Sequence, residues 1–401
     1  MSRGNGYFQQ LNDTLKRHHR SIPFLVLDLN RLDQNISTLK QHLNPSTKFR
    51  IVVKSLPSIE LLEYIMQKAN SQDLMVFHQP FLTDLSSRLD SQSDVLLGKP
   101  MPIKTAQFYY HNLPQNASGF NAYQQIQWLV DTEKRIQEYI GLAKQLGQPL
   151  RLNVEIDVGL HRGGFRNLSD LKKGLQLIAG NQNWVKLSGL MGYDPHVVKL
   201  PRILRSQHKA LRLANTFYHQ CIALIKEEFP TLWTTDLTLN GAGSPTLNLH
   251  EHTDSPLNDI SAGSCLVKPT TFDIPSLSDY IPACYIATPV LKQFTNTTLP
   301  ALESMSSLLN LISSSNRRSY FIYGGFWKAD YCFPEGIKAN NLFGPSTNQT
   351  MLNAPADTSL KVDDYVFLRP HQSEFVFLQF GNILVIRDSE IVSEWELLKN
   401  C

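Results

Sequence analysis

Four short stretches of this chain set residues that can do chemistry beside residues that hold them still. Lys54 closes the apolar run Phe49-Arg50-Ile51-Val52-Val53, and Pro57-Ser58 follows as a helix start. A lysine held at a strand end against apolar neighbours can serve as a nucleophile, because burial disfavours its charged form. An exposed lysine at a strand terminus is the plain alternative. Glu155-Ile156-Asp157-Val158-Gly159-Leu160-His161-Arg162-Gly163-Gly164 ends an apolar strand in carboxylates, glycines and an arginine. Such a turn presents a guanidinium in a fixed plane, suited to an oxyanion. An Asp157–Arg162 brace within the turn reads equally well. In Asn240-Gly241-Ala242-Gly243-Ser244-Pro245-Thr246, small residues let backbone N–H groups and a hydroxyl cradle a phosphate, although a lone glycine loop is also an ordinary turn. His371, within Arg369-Pro370-His371-Gln372-Ser373-Glu374, is an acid–base candidate, with packing at a strand end as its alternative.

Those residues need a frame that sets strand ends side by side. Short β-rich runs fall at 48–54, 74–77, 94–97, 127–131, 152–157, 185–191, 237–240 and 259–261. They alternate with helical patterns, which argues for parallel β/α units. Thr132 is placed to cap a helix carrying Ile136, Ile140, Ala143 and Leu146, ended by Gly147. Leu171, Leu175 and Ile178 line another helix, ended by Gly180. Eight such runs in about 210 residues suit a (β/α)8 TIM-type barrel, whose chemistry sits at the C-terminal strand ends. Beyond about residue 262 the texture changes. Strands expected at 284–290, 320–323, 364–368, 375–380, 382–387 and 392–397 describe a C-terminal, mostly antiparallel β domain. The Ser/Thr/Asn-rich stretch 293–319, with apolar Leu308, Leu309 and Ile312, and the stretch 333–359 read as insertions or long loops. The division expected is a barrel over 22–261 and a β domain over 262–401 completed by residues 1–21.

At 401 residues the chain is longer than one core usually organises, which favours two domains. Its 42% hydrophobic and 18% charged residues are an ordinary globular balance. A net charge of +3 is too mild for a nucleic-acid or membrane surface, and the basic clusters at 16–20 and Arg317-Arg318 read as solvated. The five cysteines, at 221, 265, 284, 332 and 401, form no C-x-x-C pair, so reduced thiols in the cytoplasm are expected. No apolar stretch suits a signal peptide or a membrane span, so the sequons at Asn116 and Asn296 are read as unmodified. His250-Glu251-His252 lacks the spacing of a metalloprotease helix and reads as a surface loop.

In their order along the chain, these stretches resemble the alanine racemase-like (fold-type III) enzymes dependent on pyridoxal 5'-phosphate (PLP). The likeness is to the D-threonine aldolase and D-serine dehydratase branch in particular. Ile22-Pro23-Phe24-Leu25-Val26-Leu27-Asp28 is similar to that family's TPxLVLD opening, and Val53-Lys54 to its cofactor lysine. Glu155 through Gly164 follows EIDxGxxRxG, Gly189-Leu190-Met191-Gly192-Tyr193 follows GLxxY, and Asn240 to Thr246 follows GGGTPT. Asn258-Asp259-Ile260-Ser261-Ala262-Gly263-Ser264 follows NExxxGSY, so the resemblance spans about residues 21–265.

The resemblance implies that Lys54 joins covalently to PLP and shuttles the substrate's α-proton. It implies that Arg162 hydrogen-bonds the cofactor's phenolate oxygen, and that Ala242, Gly243 and Ser244 bind its phosphate. Tyr193 would meet the pyridine nitrogen, where a tyrosine, neutral at physiological pH, makes a restrained electron sink. The branch's metal-holding His-x-Cys or His-x-Asp pair reads His371-Gln372-Ser373 here. Serine is a poor zinc ligand, which leaves His371 and Glu374 as metal candidates and a divalent metal in question. The expected function is therefore a PLP-dependent lyase, aldolase-like or dehydratase-like, acting on a D-amino acid with a β-hydroxyl. One rival is an amino-acid racemase, with Tyr285 or Tyr323 as second base. The other is a PLP-binding carrier without turnover, against which the β domain argues. The partners expected are a small amino-acid substrate and a second copy of the chain in a homodimer, with neither nucleic acid nor membrane.

Overall fold

The computed structural model describes residues 3–199, 206–251, 254–294, 318–341 and 343–399. The segment around Leu308, Leu309 and Ile312, the Asn296 sequon, His252, Arg317 and Cys401 lie outside them. The chain divides into two compact units. One is Asn35–Leu266 with Ile274–Asp279 and Leu398–Cys401; the other is Met1–Gln34 with Val267–Asp273 and Tyr280–Leu397.

The first strand, β1 (Phe24–Asp28), belongs to the second unit, although the expected barrel segment began at residue 22. The barrel itself is β2 (Lys48–Val52), β3 (Asp73–Val76), β4 (Asp94–Leu97), β5 (Ile126–Val130), β6 (Leu150–Glu155), β7 (Val185–Gly192), β8 (Thr238–Gly241) and β9 (Asp259–Ala262). All pair in parallel, and β9 closes on β2 with Ile51 opposite Ala262. Every residue of β5 is buried, as expected for a strand with packed side chains inside the barrel and helices outside it. The crossover helices begin and end on local chemistry. The Ser58, Thr132 and Asn167 side chains accept hydrogen bonds from the first turns of Ile59–Ala69, Glu133–Leu146 and Leu168–Ala179. Gly147 ends the second of these at φ +64, in the left-handed region that glycine adopts without strain.

The second unit is a mostly antiparallel sheet. Its strands are β1, β10 (Cys284–Phe294), β11 (Arg318–Tyr323), β12 (Ala329–Phe333), β13 (Lys338–Ala339), β14 (Gln349–Ala354), β15 (Tyr365–Pro370), β16 (Asn382–Arg387) and β17 (Glu390–Glu396). The order is β13-β14-β11-β10-β1-β16-β17, and β15 pairs with β10 and β12. Phe24 and Val26 of β1 point into one core with Tyr285, Ala287, Tyr365, Phe367, Leu384 and Ile386. Leu11 and Leu15 join them from the helix Arg3–Lys16. The cluster at 16–20 is solvated as expected: Lys16, Arg17 and Arg20 are exposed and form surface pairs with Asp364, Glu390 and Glu394.

Two local expectations are corrected. The strand expected at 375–380 is a helical turn Ser373–Val376 continued as Phe377–Gln379. A short apolar run does not by itself distinguish a strand from a helix, and here Val376 and Phe377 are buried while Phe375 is exposed. The stretch 333–359 is more than a loop, because β14 pairs with β11 along Arg318↔Ala354 to Tyr323↔Gln349. That pairing buries five of its six residues despite their polar neighbours.

Candidate active site

The loops at the C-terminal ends of the barrel strands interlock. Lys54 lies in the helical turn Val53–Ser55 directly after β2, half-buried, with its Nζ 4.7 Å from the centre of the Phe77 ring. Ser264 Oγ donates to Ser55 Oγ at 3.0 Å, tying the Lys54 turn to the loop after β9. Gly263 is pressed so close that a side chain there would meet Val52 O at 2.8 Å. The backbone N–H groups of Gly263 and Cys265 in turn donate to Ser244 Oγ, at 3.3 and 3.1 Å, on the turn after β8.

That turn is tightly constrained. Ala242 holds a left-handed φ of +58, a strained value for a residue with a side chain. A Cβ on Gly243 would sit 2.8 Å from the Tyr193 ring, so only glycine fits there. Two N–H groups already occupy the lone pairs of Ser244 Oγ, and what it can offer an anion is its hydrogen. Tyr193, at the end of β7, also receives the Arg162 guanidinium over its ring at 5.0 Å. Five of the predicted site residues (Arg162, Tyr193, Ala242, Gly243 and Ser244) thus meet around one turn, and Lys54 sits on the loop stapled to it.

Arg162 is not the brace of its own turn. Asp157 takes that part with other groups, accepting from Gly159 N (3.1 Å) and His161 N (2.8 Å) and meeting His161 Nδ1 at 2.9 Å. Burial works against ionisation of Asp157, but these hydrogen bonds override it and hold the carboxyl below the usual range. Arg162 is left on the exposed outer side with its head against Tyr193.

Composition and spacing do not bring out four further residues. Glu155 ends β6 beneath the arginine turn, its Oε2 3.2 Å from where a side chain on Gly163 would be. Burial, reinforced by the charge of Asp131 and partly offset by Arg162, pushes its carboxyl up to about 7. His196 is buried, with its Nε2 3.0 Å from where a Cβ on Gly159 would lie. Asp194 and His250 form a buried pair, Oδ2 to Nε2 2.9 Å. His250 is therefore no surface-loop residue, and the signal for it would have been an acceptor 56 residues away in the chain.

Glu155 gives a pH-dependent stability. In the unfolded chain it ionises near 4.5, and in the fold near 7. Between those values the folded chain holds the extra proton, so stability falls as pH rises, and the loss is complete above about pH 7. Glu155→Gln keeps the shape without the charge. It is expected to unfold at a higher temperature than the wild type above about pH 7 and to match it near pH 4. Thermal scans across this range check it; a difference that stays constant with pH counts against Glu155 as the source.

The second unit carries His371 and Glu374. The His371 ring is half-exposed and meets Asp330 Oδ1 at 2.9 Å, while its carbonyl accepts from Thr271. Ser373 is fully buried at the start of its helical turn. Among the described residues no group of three or more His, Cys, Asp or Glu side chains could hold a metal ion. Tyr285 lies in the sheet core, its hydroxyl taking a hydrogen bond from Arg31 and donating to Pro282 O. Burial holds that hydroxyl well above the usual tyrosine value, so it is no base near neutral pH. Cys221, Cys265, Cys284 and Cys332 are free thiols, and no helix among the described residues is long and apolar enough to cross a membrane. Asn116 spends its side-chain amide on Ser86 O and Leu89 O.

A closed parallel barrel with a lysine, an arginine and a glycine turn gathered at its C-terminal end, followed by an antiparallel sheet unit, defines the class. The chain belongs to the alanine racemase N-terminal domain family, whose model matches residues 27–269. No curated protein matches it in sequence. Among solved structures it is similar to D-threonine aldolase from Filomicrobium marinum (14% identity, 96% of this chain and 98% of that one, TM-score 0.72). It is similar also to D-threo-3-hydroxyaspartate dehydratase from Delftia sp. HT23 (16%, 96% and 99%, 0.69). A third likeness is alanine racemase from Bacillus anthracis with bound L-Ala-P (12%, 94% and 98%, 0.69). At these identities the likeness is one of fold.

Proposed function

We propose that this chain is a PLP-dependent lyase acting on a D-amino acid with a β-hydroxyl, by aldol cleavage or dehydration. The observation that carries the reading is the stapling of the Lys54 turn, through Ser264 and Ser244, to a glycine turn with a left-handed alanine. An amine and an anion cradle held at one end of a barrel suit a phosphorylated aldehyde. PLP, when bound, would supply an electron sink for the carbanion left as a bond to Cα breaks.

In this reading Lys54 holds the cofactor covalently and moves the proton at Cα. Ser244 and the N–H groups of the 242–244 turn take the phosphate. Arg162 donates to the ring's phenolate oxygen, and the neutral hydroxyl of Tyr193 serves the pyridine nitrogen. His371, buttressed by Asp330, is the acid–base group assigned to the substrate's β-hydroxyl. Glu374 stands beside His371 as a metal candidate, and the chelator arm of the test below decides whether a divalent metal takes part. The burial of Tyr285 counts against it as the second base of a racemase. A homodimer in the cytoplasm belongs to the same reading, and a light-scattering mass of one subunit would count against the dimer.

The test is a panel of D- and L-amino acids incubated with the purified chain and PLP, with and without chelator, and read by chiral product analysis. The expected result is a keto acid with ammonia, or glycine with an aldehyde, from D-β-hydroxy substrates alone. Conversion to the opposite enantiomer would overturn the lyase in favour of a racemase. A visible band with no product from any substrate would leave a carrier.

A further inference from the structure

We propose that Asp194 is a positioning residue whose carboxylate keeps the 242–246 turn in the shape that accepts a phosphate group. It follows Tyr193 directly and is 3% exposed. Its Oδ1 accepts the Thr246 hydroxyl at 2.7 Å, and its Oδ2 meets His250 Nε2 at 2.9 Å. His250, 2% exposed, is fixed on its other side by Ser255 Oγ at 2.8 Å from Nδ1. One buried carboxylate thus joins the loop that bears Tyr193 to the turn after β8 and to the helical turn Leu247–His250 that follows it.

The turn needs that hold. Thr246 N and Leu247 N both donate to Gly243 O at 2.9 Å, which folds the backbone tightly around Gly243. Ala242 sits at its strained φ of +58 while Gly243 lies against the Tyr193 ring. Strain of this kind persists only where surrounding contacts over-determine it, and the Thr246–Asp194 bond supplies such a contact from inside. Thr246 commits its hydrogen to Asp194, so it shapes the cradle and is not one of its donors. With Thr246 and His250 on its two oxygens, the buried carboxylate is matched on both sides beside a turn meant for another anion.

The inference rests on the PLP reading, and one titration separates the two. The full-length chain, freed of cofactor, is titrated with PLP and with pyridoxal, which lacks the phosphate; inorganic phosphate is added as a competitor. Thr246→Val keeps the volume and removes the hydroxyl. It is expected to raise the Kd for PLP about tenfold, the effect of one lost bond to a charged group, and to change that for pyridoxal less than about twofold. Inorganic phosphate should compete with PLP correspondingly less well in the variant. Asp194→Asn is expected to act in the same direction, and Thr246→Ser, which keeps the hydroxyl, to behave as wild type. Equal weakening of PLP and pyridoxal, or none, overturns the role of Asp194 while the PLP reading stands. A wild-type chain that forms a visible band with neither ligand overturns the PLP reading itself.

Discussion

Lys54→Ala is expected to abolish the covalent cofactor adduct. Wild-type protein incubated with PLP should develop a visible band that borohydride bleaches, leaving the label on the peptide that contains Lys54. The variant should bind PLP without the band or the label, and its turnover should fall by at least about 10²-fold, the lower end of what a positioned proton-transfer group contributes. The fold should survive. Lys54 is half-buried directly after β2, and its contact with the Phe77 ring is worth ~0.5–1 kcal/mol. Lys54→Arg keeps that contact and the charge without a nucleophilic amine, and should be as inactive as alanine. Should the band and the borohydride label persist in Lys54→Ala, the assignment of the cofactor to this lysine is wrong.

The second large effect lies at the opposite end of the barrel. Arg50, in the middle of β2, is 1% exposed and surrounded by carboxylates. Its Nε and Nη2 donate to Asp259 at 2.8–3.1 Å, and Nη2 also lies 2.9 Å from Asp94 and 3.5 Å from Asp73. Its Nη1 donates to the carbonyls of Leu74 and Asp94, so one guanidinium joins β2, β3, β4 and β9. Burial pushes the Asp73 carboxyl up, partly offset by Arg50. At Asp94 burial is overcome by Arg50 and Arg151, which hold the carboxyl below the usual range. Arg50→Met removes the cation but leaves Asp259 buried, and breaking such a pair from one side costs about 3–5 kcal/mol. Denaturant unfolding followed by the buried Trp128 should show the midpoint fall accordingly. The double variant Arg50→Met with Asp259→Asn should recover part of the loss, because the stranded charge is gone. A single variant within about 1 kcal/mol of wild type would mean that water or local rearrangement solvates Asp259.

Arg50 also shows where local reading stops. An arginine in an apolar run reads as a strand residue with a solvated head. Its partners begin three other strands, and only barrel closure brings Asp73, Asp94 and Asp259 onto it. Asp194 and His250 pose the same difficulty, since neither is unusual among its own neighbours. Nor does Phe375 to Phe380 settle its own state, because apolar residues so closely spaced serve a strand or a helical turn until one face is covered.

By itself the sequence determined the eight barrel strands, the capped helices between them and the ring of small and charged residues at the strand ends. Each of these rests on chemistry within a few neighbours: alternation, a capping hydroxyl, a glycine where a side chain cannot fit. Tertiary structure alone decided that β1 joins the antiparallel sheet beside β10 and β16, far along the chain. It also decided which carboxylates meet Arg50, and that Asp194 reaches Thr246 and His250. Partner choice between distant segments depends on register and on which buried polar groups must be satisfied, and neither is written in any one stretch of residues.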